Sequence, residues 1–101
     1  MTVPGLQVRL LCDSGGSQKV VTGRLLDISA TGVRLLVNGE VAIDELLLIE
    51  TRLTETDCLN LSARVAWIKP HAEGVAIGCR LSVSPAGEKL AELRRLARAS
   101  A

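Results

Sequence analysis

Alternation is the feature that most constrains this chain. Leu59, Leu61, Ala63, Val65 and Trp67 interleave with Asn60, Ser62 and Arg64, and Val75, Ile77, Cys79 and Leu81 repeat the pattern a few residues later. A period of two puts apolar side chains on one face and polar ones on the other, as in a half-buried β-strand. The same pattern opens the chain, with Leu6, Val8, Leu10 and Cys12 set around Gln7 and Arg9. Apolar runs from Val20 to Ser29 and from Val33 to Val37 predict two further strands. Leu46-Leu47-Leu48-Ile49 predicts another, expected to be buried on both sides. Turn residues separate the runs at Asp13-Ser14-Gly15-Gly16-Ser17, at Asn38-Gly39, at Thr54-Glu55-Thr56-Asp57 and at Pro70-His71-Ala72-Glu73-Gly74. Asn-Gly is a strong hairpin signal.

Only the end of the chain changes period. Ser84 is the expected cap and Pro85 the first position of a helix over about residues 85–99, in which Ala86, Leu90, Leu93 and Ala97 recur at helical spacing. Arg94, Arg95 and Arg98 stand near its negative end and read as a solvated, dipole-matched terminus. Six short strands at even spacing predict a mainly β fold, a six-stranded antiparallel barrel over about residues 5–82, with the C-terminal α-helix covering one opening. Closure removes the exposed edges of a flat sheet. At 101 residues the chain is expected to be one domain, 1–101.

Composition narrows the function. Twelve Lys and Arg against eleven Asp and Glu leave a net charge of +1, so no global field draws the protein to a nucleic-acid polymer or an acidic membrane. There is no Phe or Tyr and a single Trp, which removes the stacking platform single strands normally rest on. Trp67 is expected to anchor the core. Cys12, Cys58 and Cys79 form no C-x-x-C pair and His71 stands alone, so no metal site is expected. The odd cysteine count and the absence of a signal-like start point to the cytoplasm, and no apolar run has the length of a membrane span.

One motif stands above this background. Asp27-Ile28-Ser29-Ala30-Thr31-Gly32, followed by Val33-Arg34-Leu35-Leu36, reads D-x-S-x-x-G-x-x-L at a strand junction. Asp27 and Ser29 share the outward face if Ile28 points inward, and glycine at 32 permits a backbone geometry that other residues resist. With the V-x-W of Val65-Ala66-Trp67, with Gly74 and Gly78 on the sixth strand and with the trailing helix, the chain resembles the PilZ family over nearly its whole length. That resemblance implies a six-stranded barrel domain of bacterial second-messenger signalling, non-catalytic, with cyclic di-GMP as its ligand.

The resemblance also implies two binding elements. One is the D-x-S-x-x-G turn, in which Asp27 would accept from a guanine N–H and Ser29 would bridge to it. The other is an R-x-x-x-R segment on an arm before the first strand, and it has no counterpart here: Thr2 stands where its second arginine should be, and the position of the first falls before Met1. Each bidentate arginine contact is worth roughly 1 to 3 kcal/mol, so a missing pair weakens binding by about 2 to 6 kcal/mol. Strand alternation places Arg24 on the opposite face from Asp27 and Arg34 outward, so an intact site would use Asp27, Ser29, Gly32 and Arg34, with Arg9 as a further candidate.

Two readings follow. In one, the domain is a regulatory adaptor for a protein partner in which nucleotide binding is weak or lost and the turn is kept for structural reasons. In the other, it is a working cyclic di-GMP receptor with a non-standard arginine. The missing arginine pair favours the first; arginines four apart in a native extension before Met1 would favour the second. An Asp27–Ser29–His71 triad is not expected, because nothing brings His71 to Ser29 and no oxyanion-hole motif flanks the serine.

Overall fold

The computed structural model describes residues 5–14 and 17–99. Six strands, β1 (Leu6–Ser14), β2 (Ser17–Ile28), β3 (Gly32–Val37), β4 (Leu46–Arg52), β5 (Cys58–His71) and β6 (Gly74–Leu81), precede one helix, α1 (Gly87–Ala99). The strands close into an antiparallel barrel in the order β1-β2-β3-β6-β5-β4. Closure pairs every strand on both sides, so no row of backbone donors and acceptors is left on an edge.

The alternating apolar residues fill the interior. Val8, Leu10, Cys12, Leu25, Leu35, Leu47, Ile49, Leu61 and Ile77 are all buried in one cluster. Leu93 and Ala97 of α1 join the same cluster, so the helix covers one end of the barrel with its apolar face. The helix starts later than its sequence cues indicate. The Leu90 amide donates to the Ala86 carbonyl, so Ala86 occupies the cap position and Ser84 and Pro85 lie in the preceding loop.

Three further expectations are corrected. Leu46 and Leu48 face outward and are exposed, and only Leu47 and Ile49 enter the core. β4 is a wall strand of a closed barrel with no layer outside it, so a continuous apolar run need not mean burial on both sides. Asn38-Gly39 is not a hairpin between consecutive strands, because β3 and β4 are not neighbours. The chain leaves β3 there, tied by the Asn38 amide to the Thr22 carbonyl, and crosses to the far side of the barrel. Trp67 is not a core residue: it is 37% exposed on the outer surface. The β5–β6 hairpin forms as expected, with His71 opposite Gly74 and Gly74 at φ 143, a conformation L side chains rarely adopt.

Candidate functional site

Two β-bulges build the site. β2 runs in register from Leu25 opposite Leu35, then slips by one so that Asp27 stands opposite Arg34, and Leu26 is the extra residue. β5 does the same at Ala66, with Val65 opposite Cys79 but Trp67 opposite Gly78. A bulge inverts the phase of alternation, so the side chains beyond it change faces. Leu25 and Val65 point into the core while Asp27 and Trp67, two positions on, point out. Ile28 and Ile68 take over the inward positions. The result is one outward row across four strands, Asp27, Arg34, Gly78 and Trp67.

Gly78 shows why the row fits together. A Cβ built there would collide with the Trp67 indole, so the ring lies directly on the glycine backbone. From that seat it borders a groove of about 610 Å³, whose other walls include Asp27, Ser29, Gly32, Arg34 and Arg80. Arg80 comes from the next outward row, opposite Gly32 on one side and Arg64 on the other.

The Ser29–Gly32 turn forms the end of this groove. Ser29 Oγ accepts from the Thr31 amide at 3.3 Å and the Gly32 amide at 3.1 Å, and the Ser29 amide donates to the Gly32 carbonyl at 2.8 Å. Asp27 Oδ1 accepts from the Ile28 amide at 2.9 Å. Both motif side chains therefore bind the turn's own backbone. Gly32 does not adopt the positive φ expected of it. Its lack of a side chain serves close approach instead, since a Cβ would lie 3.2 Å from the Cys79 carbonyl oxygen.

A family model described as PilZ domain matches residues 5–99. This chain belongs to the PilZ domain family. Membership places it among domains of cyclic di-GMP-related signalling. No curated protein matches the chain. Among the described residues no helix is long and apolar enough to cross a membrane, and no cluster of His, Cys, Asp and Glu could hold a metal ion.

In this PilZ domain the groove gathers four of the five residues singled out from the sequence: Asp27, Ser29, Gly32 and Arg34. Arg9 lies elsewhere, on the outer face of β1, where Nη1 stands 3.8 Å from Glu50 Oε2 in a different depression. Arg24 is on the same outer side as Asp27, not the opposite one, because the Leu26 bulge falls between them. Its Nη1 donates to the Gly5 carbonyl at 2.9 Å. His71 sits at the β5–β6 hairpin, the opposite end of the barrel from Ser29, and accepts from the Glu73 amide through Nδ1. The structure does not bring it to the serine.

Arg80 and Trp67 were missed. For Arg80 the signal was available, since β6 alternation puts it outward; for Trp67 the bulge hid it. Arg34 and Arg80 make no hydrogen bond or ion pair among the described residues. Two unpaired guanidinium groups thus face one carboxylate, Asp27, and this end of the groove is suited to anions. Lys69 Nζ lies 5.3 Å from the Trp67 ring centroid, a cation on the indole outside the walls of the groove. The helix arginines divide. Arg95 chelates Glu92 at 2.6 and 3.1 Å, whereas Arg94 Nε donates to the Ile28 carbonyl at 3.0 Å, so it ties α1 to the middle of the motif rather than ending in solvent.

Proposed function

We propose that this PilZ domain is a non-catalytic regulatory adaptor that takes cyclic di-GMP weakly in the groove between the Ser29–Gly32 turn and Trp67, and acts on a protein partner. One observation carries the ligand part of this reading: Arg34 and Arg80, both unpaired among the described residues, open on the same groove as Asp27 and the exposed indole. A cyclic dinucleotide has two phosphates, which suit two guanidinium forks, and guanine N–H edges, which suit a carboxylate. The indole adds an aromatic surface for a base.

Weakness follows from the same geometry. Two charge-assisted contacts and one partly covered ring, against the loss of ligand freedom, support a dissociation constant of roughly 10 to 100 µM. The hydrogen bonds of Ser29 Oγ and Asp27 Oδ1 to their own turn favour the adaptor part, because they give the motif a use that needs no nucleotide.

Trp67 is the single fluorophore of the chain and stands in the groove, so titration with cyclic di-GMP is read directly as a change in its emission, with calorimetry as the second readout. Saturable quenching that Arg34→Ala and Arg80→Ala each weaken about tenfold is the expected result. Neither heat nor an emission change with protein at several times the upper limit above, about 500 µM, removes the nucleotide and leaves the adaptor alone.

A further inference from the structure

The outer surface opposite the groove is apolar where a solvated barrel should be polar. Leu11 of β1 stands between Val20 of β2 and Leu48 of β4 in one cross-strand row, and all three point outward. Val20 is 53% exposed and Leu48 38%, with Leu46 at 40% one outward step along β4. Contiguous apolar side chains on a small soluble barrel mark a contact surface. Closure of the barrel excludes strand addition, so whatever covers the surface does so through side chains.

We infer that this face is the interface of a symmetric homodimer, joined along the seam between β1 and β4. Register carries the argument. Leu11 is opposite Leu48, and one step along the same two strands Arg9 is opposite Glu50. A two-fold axis running along the seam carries β1 of one copy onto β4 of the other. Leu11 then meets Leu48 of the second copy, and Arg9 meets Glu50 of the second copy, each contact occurring twice. These two rows, one apolar and one charged, are each complementary to themselves, which is the requirement of an isologous interface. Within one chain the Arg9–Glu50 pair is long, at 3.8 Å, with the Arg9 side chain 61% exposed, so the guanidinium keeps donors for a second carboxylate.

In the closed order β1-β2-β3-β6-β5-β4 the β1–β4 seam lies diametrically opposite the β3–β6 seam under the groove. A dimer joined there leaves both grooves open and facing away from each other. Two convex barrels meeting along one seam bury roughly 1,000 Å² in total, at the low end for a specific interface. The expected dissociation constant is therefore on the order of 10 to 100 µM.

Sedimentation velocity between about 5 and 500 µM, a range bracketing that constant, is the test. The expected result is a monomer–dimer equilibrium in which Leu48→Glu raises the dissociation constant at least about tenfold, with an unchanged melting curve. Arg9→Glu and Glu50→Arg each weaken the dimer, and the doubly reversed chain recovers to within about threefold of the original. If Leu48→Glu fails to fold, dilution of the unaltered protein monitored by backbone amide shifts serves instead, with changes expected on the β1–β4 face only. A monomer throughout the range, a dimer indifferent to Leu48→Glu, no rescue by the double reversal, or shifts centred on another face overturns the inference. Because the groove is remote, nucleotide binding succeeds or fails independently of these outcomes.

Discussion

Replacing Ser29 with alanine separates the structural use of the motif from any ligand use. In the folded protein Ser29 Oγ accepts from two amides, those of Thr31 and Gly32, and also lies 3.4 Å from the Gly32 carbonyl oxygen. Alanine removes all three contacts but keeps the backbone bond from the Ser29 amide to the Gly32 carbonyl. The turn is exposed, so the released amides find water and lose only the net value of the bonds, about 0.5 kcal/mol each at this degree of exposure. The expected destabilisation is therefore about 1 kcal/mol, or a fall in Tm of roughly 4 to 8 °C for a domain of this size. Ser29→Thr keeps the oxygen and should stay within about 0.5 kcal/mol of the original. The assay is thermal and urea unfolding followed by far-ultraviolet circular dichroism without nucleotide. A Ser29→Ala protein within about 0.3 kcal/mol of the original would refute the structural account, and the serine would then need a ligand to explain it.

Further outcomes are expected. Gly78→Val should drive the indole off its seat, red-shift Trp67 emission and cost about 1 to 3 kcal/mol in urea unfolding, whereas Gly87→Ala, where a Cβ meets nothing, should be neutral or stabilising. In the folded protein only Cys58 should react with a thiol reagent at pH 8, because Cys12 and Cys79 are buried; burial pushes the Cys79 thiol up to about 12, and burial followed by the nearby Glu45 carboxylate raises Cys12. Since the folded state holds these protons more tightly than the unfolded chain, whose thiols ionise near 9.0, stability should be intact below that pH and fall between it and about 12, with Cys79→Ala flattening the decline. Arg94→Ala should loosen α1 by cutting its bond to the Ile28 carbonyl, which amide exchange in β2 and the helix would register as lost protection.

The fold was legible because barrel strands write their burial into period two. The runs around Leu10, Leu35 and Ile77, and the one around Leu61 as far as Val65, put the right residues inside, and the change of period after Ser84 located α1 to within two residues. What alternation does not carry is strand order. The Asn38-Gly39 signal was real as a stop but silent about where the chain went next, because a turn dipeptide describes four residues and a crossover is decided by the whole barrel. Nor does it carry the state of the outer face: Leu46 and Leu48 read as buried because a hydrophobic run has no phase, and only the absence of a covering layer shows them to be exposed.

The site was half legible for a single physical reason. Its turn residues, Asp27, Ser29 and Gly32, lie within six positions of one another, and local chemistry is what a linear motif records. The far wall comes from β5 and β6, and its key residue was misassigned by extending a regular alternation through Val65 to Trp67. One extra residue in β2 and one in β5 make the difference. Without the slip at Leu26, Asp27 would follow Leu25 into the core; without the slip at Ala66, Trp67 would follow Val65. Either side chain would fit badly there, a carboxylate for its desolvation and an indole for its volume among tightly packed leucines. The bulges thus resolve a packing conflict and, in doing so, set the carboxylate and the ring on one outward row with Arg34 between them over Gly78. The groove is a consequence of two irregularities at the same level of the barrel, so a register-preserving substitution on β3 or β6 should tune it, whereas a deletion at 26 or 66 should abolish it.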